Sequence, residues 1–184
     1  MAITFSGDFD ELSYPYIHDK SSLCDFEVFT DELCTMVGMA LSQIDDPEIK
    51  ASLLDLQPKI FHLNGSIRGK QAIFEEDITK LKEEYWYFRN KVDDNAKRFV
   101  LPRGGFSVYQ LHYCRSLSKK VIRILVRVDE EGIEFPDVIP RFSNVLVNYF
   151  FALTRYLNQL DGVEEPEFIS KSYRKSSKKG TNHV

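Results

Sequence analysis

The amino-acid sequence predicts an all-α protein built as one bundle of five helices. In successive segments the apolar residues recur at the three- and four-residue spacing of a helix. No segment sustains the alternation of apolar and polar residues that a half-buried strand requires. The chain has 184 residues, of which 43% are hydrophobic, so it can form one domain with a sizeable core but hardly a second.

The first two helices are predicted over residues 22–44 and 47–66. The apolar residues that indicate the first are Leu23, Phe26, Leu33, Val37 and Leu41. The second has a start signal, with Asp46 as N-cap and Pro47 as first helical residue. Pro58 removes a backbone donor and predicts a kink within this helix.

Three further helices are predicted over residues 74–92, 106–130 and 137–160. The first of these has its acidic residues early and its basic residues late, the order that complements the helix dipole. The other two end near glycines, Gly132 and Gly162, as helices commonly do. With four helices long enough to cross a common core, the architecture is a helical bundle.

The bundle domain is predicted to span residues 22–162, with ends of a different character. Residues 1–21 are aromatic, acidic and irregular, which fits both an ordered loop lying over the bundle and a floppy terminus. Residues 163–184 form a basic tail, predicted to be disordered because its last part has almost no apolar side chains to bury.

Charge and composition exclude several classes of function. A net charge of −4 and a pI near 5.6 give no reason to expect nucleic acid or an acidic membrane as main partner. The apolar runs are too short to span a bilayer, and the first residues resemble no secretion signal, which favours a cytoplasmic protein. The three cysteines are expected to be reduced and buried, and neither they nor the four histidines have zinc-site spacing.

A stripe of cations lies on the fourth predicted helix. Arg115, Lys119 and Arg123 share one face with Ile122, and no acid occurs between residues 106 and 128. The stripe could clamp phosphate, because a guanidinium binds two oxygens at once and lysine adds a point charge. It could also pair with carboxylates of a neighbouring helix, and spacing alone leaves both readings open.

Two other features accompany this stripe. On the fifth helix Asn144, Asn148, Phe151 and Arg155 share one face, so the amides would either satisfy one another inside the bundle or line a polar cavity. Before the fourth helix, the sequence "LPRGG" predicts a sharp turn whose backbone can approach a ligand closely.

Four ordered blocks resemble the ATP:cob(I)alamin adenosyltransferases of the propanediol-utilisation type. "FVLPRGGFSVYQLHYCRSLSKK" is similar to the family's F-[IV]-L-P-x-G-G and L-H-x-x-R-x-x-x-[RK]-[RK] signature, and "FTDELCTMVGMAL" to its YGxxDELNxxIGxA. "LLDLQPKIFHLNGSI" and "FSNVLVNYFFALTRYLN" resemble IQxxLFxLGxxLA and YLNRLSDxLFxLAR. The resemblance covers roughly residues 4–160.

The resemblance implies a five-helix bundle that assembles as a homotrimer with active sites between subunits. It implies transfer of the 5′-deoxyadenosyl group of ATP, bound with Mg²⁺, to cob(I)alamin, which releases triphosphate and forms adenosylcobalamin. Cobalt is the nucleophile, so the protein mainly positions the reactants and stabilises the leaving phosphates. The implied partners are the chain itself, ATP and a corrinoid, with no nucleic acid or membrane.

Site residues follow from the resemblance by position. Phe99 matches an aromatic beneath the corrin, and Asp31 and Arg115 match an ion pair across the subunit interface. The positions implied for catalysis are Phe99, Arg115 and Lys119. Those implied for nucleotide binding are Ser6, Gly7, Asp8, Lys20, Arg115, Lys119, Arg123 and Asn144. Lys119 and Lys120 stand where the family usually has two arginines.

Several positions depart from the family pattern. Ile122 and Asn148 stand where the family has a glutamate and an aspartate, and Val145 replaces an arginine. In the N-terminal loop, Glu11 and Leu12 stand near where a glycine and a hydroxyl are expected. These departures leave an alternative: a catalytically weakened or inactive member that serves as a trimeric nucleotide- or corrinoid-binding or scaffold protein.

Overall fold

The computed structural model describes residues 3–93 and 100–172, and five long helices dominate this part of the chain. They are α1 (Ser22–Leu41), α2 (Pro47–Ser66), α3 (Glu75–Lys91), α4 (Phe106–Glu130) and α5 (Val138–Leu160), preceded by a short 3-10 helix, Phe9–Glu11. The predicted all-α bundle is thereby confirmed, with each helix close to its predicted ends. Apart from one isolated pairing of Val100 with Glu167, the described residues contain no β structure.

The helices form a closed ring around one core. Helix α1 packs against α2 and α4, α4 against α5, and α5 against α3. Side-chain contacts between α2 and α3 complete the ring, with Ser52 donating to the Glu84 carboxylate and Lys59 Nζ lying 2.8 Å from Asp77 Oδ1. The core is almost wholly apolar, and its largest fully buried side chains include Tyr149, Phe26 and Phe88.

Side-chain carboxylates accept hydrogen bonds from N–H groups at the starts of α1 and α2. The predicted cap of α2 is confirmed, because Asp46 Oδ1 accepts from the backbone N–H groups of Glu48 at 3.1 Å and Ile49 at 2.9 Å. The cap of α1 comes from far along the chain: the Glu131 carboxylate, at the end of α4, accepts from the N–H and the Oγ of Ser22. This second cap could not be read from the sequence, since its partners are brought together only by packing.

Segments at both ends of the bundle are attached to it. At the N-terminal end the guanidinium of Arg68, in the turn after α2, lies 4.2 Å from the ring centre of Tyr16, and its Nη2 is 3.0 Å from Asp19 Oδ2. Beyond α5, residues 163–172 run past the start of α4, where the Leu101 N–H donates to the Pro166 carbonyl at 3.0 Å. This C-terminal segment covers part of the surface formed by α4 and α5.

Three further facts limit the chemistry. No described helix has the length and apolarity to cross a membrane. Within the described ranges no three metal-binding side chains of His, Cys, Asp or Glu come together. All three cysteines, Cys24, Cys34 and Cys114, are buried and free, as the sequence analysis predicts.

Candidate functional site

The cationic stripe of α4 lies next to the polar face of α5. The Arg115 guanidinium carbon sits 5.1 Å from the ring centre of Phe151, and Asn158 Nδ2 donates to the Arg103 carbonyl at 2.8 Å. These two contacts define an antiparallel register for the two helices. We call this surface the α4/α5 strip. It consists of Arg115, Lys119 and Arg123 of α4 and Asn144, Asn148, Phe151 and Arg155 of α5.

The α4/α5 strip is exposed to solvent at one end and buried at the other. Helical spacing sets Lys119 and Arg123 beside Asn148 and Asn144, and all four side chains are exposed. Arg115 is half-buried. Of the two alternatives for the amides, mutual pairing inside the bundle is therefore wrong: both lie on the solvent side of α5, and Asn144 Nδ2 donates to the Pro140 carbonyl, one turn earlier, at 2.8 Å.

At the closed end the polar groups are buried. His112 and Arg155 are each 7% exposed, and Glu165 of the C-terminal segment, also 7% exposed, forms an ion pair with Arg155. Sequence reasoning placed Arg155 on the polar face of α5 but missed His112 and Glu165 as site residues. His112 precedes Arg115 by three positions on the same helix face and could have been noticed, whereas Glu165 carries no local signal.

Arg115 is a half-buried cation without a carboxylate partner among the described residues. Its Nε is buried without a hydrogen-bond partner, and no described carboxylate lies within ion-pair distance of it. Burial lowers the pKa of its guanidinium, although arginine remains charged in proteins. Lys119 and Arg123 likewise form no ion pair with a described carboxylate, so pairing with a neighbouring helix does not account for the stripe in the single chain.

His112 supplies no charge to this site. Both ring nitrogens are buried without partners. Burial, with the nearby positive charge of Arg115, lowers the pKa of His112 to about 4. The imidazole is therefore neutral at pH 7 and adds no second cation beside Arg115.

The opposite edge of α4 faces α1, and its polar and basic side chains have contacts there. The Tyr113 hydroxyl donates to Glu32 at 2.9 Å, Lys120 Nζ lies 5.4 Å from the ring centre of Phe29, and Arg127 lies 3.6 Å from an oxygen of Asp25. Lys120 therefore points away from the α4/α5 strip, and of the two adjacent lysines Lys119 is the one available to it.

The predicted phosphate loop forms a tight, exposed turn. Ser6 Oγ accepts from the Asp8 N–H at 3.2 Å, and Asp8 Oδ1 accepts from the Asp10 N–H at 3.0 Å and caps the short 3-10 helix. Gly7 between them has a φ of +97°. Lys20 is exposed at the end of this segment.

This loop segment borders a groove on the far side of α1. The groove has a volume of about 390 Å³ and lies between the N-terminal segment, α1 and α2. Its lining residues are Ser13, Tyr14, Ile17, Glu27, Val28, Asp31, Phe61 and Asn64. Asp31 and Arg115 consequently belong to different faces of the bundle, and within one chain they form no ion pair.

The remaining predicted positions are distributed as follows. Phe99 lies outside the described residues. Ile122 is half-buried on the α5 side of α4, and Val145 packs against the hydrophobic core. Asn148 is exposed. Because Ile122 and Asn148 both stand where an acid is expected, the α4/α5 strip contains no carboxylate.

The predicted glycine turn is needed for packing. Gly104 has a φ of +144°, and a Cβ there would lie 2.3 Å from Asn158 Oδ1 and 2.8 Å from Val108. Gly105, by contrast, has an ordinary φ of −71° and starts α4 as its N-cap. At this turn the backbone therefore lies close to side chains of α4 and α5.

Comparison with known proteins gives consistent matches over most of the chain. A family model described as cobalamin adenosyltransferase matches residues 23–157. A cobalamin adenosyltransferase of Cupriavidus metallidurans is 31% identical over 136 residues, 72% of each chain. A corrinoid adenosyltransferase of Bacillus subtilis is 26% identical over 147 residues, 75% of each chain, and one of Bos taurus is 32% identical over 157 residues, 77% of this chain and 63% of that one.

Solved structures share the fold. A variant PduO-type ATP:corrinoid adenosyltransferase from Lactobacillus reuteri, complexed with cobalamin and ATP, superposes with a TM-score of 0.73 at 23% identity. The match covers 83% of this chain and 85% of that one. Another variant from the same organism, complexed with ATP, also gives a TM-score of 0.73, at 24% identity.

Proposed function

Because the chain belongs to the cobalamin adenosyltransferase family, we propose that it transfers the 5′-deoxyadenosyl group of ATP to cob(I)alamin, releasing triphosphate and forming adenosylcobalamin. The corrinoid supplies the nucleophile, so the reaction needs no protein base. What the protein must do is hold the two substrates in line and stabilise the negative charge of the leaving triphosphate.

Arg115 is the observation that carries this proposal. A half-buried guanidinium with no carboxylate partner among the described residues of its own chain is costly unless an anion binds it, either Asp31 of the partner subunit or a nucleotide phosphate. Lys119 and Arg123 lie about one and two helical turns after Arg115, so the positive charge continues along the α4/α5 strip toward solvent. Successive cations of this kind can each bind phosphate oxygens. Since Ile122 and Asn148 stand where acids would compete for these cations, the strip is left free for phosphate oxygens.

The remaining roles complete the site. Asn144 offers an amide beside Arg123 for the nucleotide. Ser6, Gly7, Asp8 and Lys20 would hold the triphosphate with its Mg²⁺, since an exposed turn with a positive-φ glycine can turn N–H groups toward an anion. Phe99 would pack beneath the corrin.

A homotrimer is part of the proposal. Asp31 belongs to the face made by the N-terminal segment, α1 and α2, whereas Arg115 belongs to the α4/α5 strip, so the two halves of the site can meet only between subunits. Large apolar side chains are exposed on the first of these faces, for example Phe61 at 55%. Such patches are typical of protein interfaces. We also propose a cytoplasmic location, where a reducing compartment suits the three free thiols.

An anaerobic assay of the purified protein with Mg-ATP and chemically reduced cobalamin tests the activity. Formation of adenosylcobalamin, followed by its absorption spectrum, is the expected result. A folded protein of trimer mass that forms no product at high enzyme concentration would refute the catalytic proposal.

Calorimetric titration with Mg-ATP tests the nucleotide site. Replacing Arg115 with Ala should weaken binding by about 1.5 to 3 kcal/mol, the strength of a charged hydrogen bond. Arg127→Ala is the matched control on the same helix, because Arg127 is exposed and turned toward α1. Equal affinities for the Arg115→Ala variant and the control would contradict the phosphate role.

Mixed trimers test the location of the site between subunits. If each site uses Asp31 of one subunit and Arg115 of the next, the Asp31→Ala and Arg115→Ala variants are both inactive alone. Unfolding and refolding them together yields mixed trimers in which one site has both residues. Regained activity is expected, and a mixture as inactive as its components would argue against a shared site.

A further inference from the structure

Among the described residues, the aromatic ring that the Arg115 guanidinium contacts is that of Phe151. The guanidinium carbon lies 5.1 Å from the ring centre of Phe151, within the range of a cation–π contact. The side chain is half-buried, and its Nε is out of contact with water. An arginine held only by its own rotamer preferences would sample many directions on a helix surface, so the ring restricts it.

The same ring contacts a second arginine. The Arg155 guanidinium carbon lies 5.9 Å from the ring centre of Phe151. Two like charges against one ring repel each other unless one of them is neutralised. The carboxylate of Glu165 neutralises Arg155 in a buried ion pair, with the two side chains 7% and 6% exposed.

Glu165 comes from the C-terminal segment and not from the bundle helices. The segment is attached to the turn before α4, through the Leu101 N–H to Pro166 carbonyl hydrogen bond and the pairing of Val100 with Glu167. The buried ion pair is therefore anchored on both sides, by α5 and by the C-terminal segment. The order of contacts runs from the C-terminal segment through Glu165, Arg155 and Phe151 to Arg115.

From this order of contacts we propose that Phe151, Arg155 and Glu165 are positioning residues that aim the Arg115 guanidinium at the nucleotide phosphates before ATP binds. The inference rests on the proposed function of Arg115 and adds the device that prepares it. Pre-orientation strengthens binding because less side-chain freedom is lost when the ligand arrives. Among the described residues of one chain, Glu165 pairs with Arg155 and leaves Arg115 without a carboxylate, so the ring presents one cation that the phosphates and Asp31 of the partner subunit can both approach.

The first test measures the orientation of Arg115 without any nucleotide. In a ¹⁵N-labelled protein the Nε–Hε signal of Arg115 is assigned by its loss in Arg115→Lys. Its exchange with water should be slow in the wild type and faster by about tenfold or more in Phe151→Leu, which keeps an apolar side chain but removes the π face. Trp86→Leu, which removes an exposed ring of α3, is the control and should leave the signal unchanged. An Arg115 signal that exchanges equally in Phe151→Leu would overturn the positioning role.

The second test measures the coupling to nucleotide binding. Phe151→Leu should raise the Kd for Mg-ATP by about five- to tenfold, in line with a partly desolvated cation–π contact. In an Arg115→Ala background the same substitution should change the Kd less than twofold, since the ring then has no arginine to orient. Equal losses in the two backgrounds would show that Phe151 acts through general packing and would overturn the inference.

The ion pair is tested by removing both of its charges. Arg155→Met with Glu165→Met removes both charges of this ion pair together, so neither is left buried without the other, and the fold is expected to survive. The Kd for Mg-ATP and the KM for ATP should rise, with the KM for cobalamin unchanged, and an unchanged Kd would remove the pair from the positioning device. If the wild type binds no Mg-ATP at all, the proposed function fails, and the exchange measurement still decides whether the ring orders Arg115.

Discussion

His112 should make the protein progressively less stable as the pH falls from 7 to about 5. Both ring nitrogens are buried without partners, and burial together with the charge of Arg115 lowers the pKa of the imidazole to about 4. In the unfolded chain the ring takes up a proton near pH 6.5. Between these two values the unfolded state binds one proton more than the folded state, so stability is present above pH 6.5 and is lost as the pH falls toward 4.

The size of the effect follows from this difference. For pKa values of 4 folded and 6.5 unfolded, the free energy of unfolding should drop by about 2 kcal/mol between pH 7 and pH 5. For a protein of this size that corresponds to a fall of roughly 4 to 8 °C in Tm. Carboxylates whose pKa is lowered in the fold, such as Asp19 and Glu131, take up protons at lower pH and contribute mainly below this window.

The assay is urea unfolding followed by circular dichroism at half-unit steps from pH 7 to pH 5, at one protein concentration. His112→Leu should remove the decline and should be at least as stable as the wild type at pH 7, because no hydrogen bond of the ring is lost. His62→Gln, at an exposed position of α2, is the control and should retain it. A decline as steep in His112→Leu as in the wild type would refute the assignment to His112.

Three further outcomes are expected. Gly104→Ala should destabilise the protein by about 2 to 4 kcal/mol in urea unfolding, since a Cβ would meet Asn158 and Val108 and φ is +144°; Gly105→Ala, with nothing nearer than 4.0 Å, should cost less than half as much, and similar losses would contradict the steric argument. Asp46→Ala should cost about 1 kcal/mol by loss of the α2 cap, whereas Asp45→Ala, one residue earlier and exposed, should be close to neutral; if the two are equal, the cap contributes nothing. Lys119→Arg should lower the Kd for Mg-ATP about fivefold by permitting bidentate contacts with phosphate, whereas Lys120→Arg, turned toward Phe29, should have little effect; a gain from Lys120→Arg alone would mean that the other lysine faces the nucleotide.

Much of the fold could be predicted from the sequence because it depends on local patterns. Helix positions follow from the spacing of apolar residues, and the start of α2 follows from an aspartate before a proline. The stripe of Arg115, Lys119 and Arg123 is likewise a consequence of helical periodicity within one element. The matched motifs also indicated the family, which agrees with the later comparisons.

The tertiary structure decided what surrounds each of these side chains. Helical spacing puts Asn144 and Arg155 on one face of α5, but it cannot tell that one is exposed and the other buried, since that depends on where the C-terminal segment lies. The partner of Arg155 is Glu165, ten positions later and beyond the helix, and the cap of α1 is Glu131, more than a hundred positions away. Period and propensity act within a few residues, whereas burial and ion pairing depend on packing between distant segments. The sequence alone therefore determined which helix carries the cations, and only the packed bundle decided that Arg115 has no carboxylate partner among the described residues and lies against the ring of Phe151.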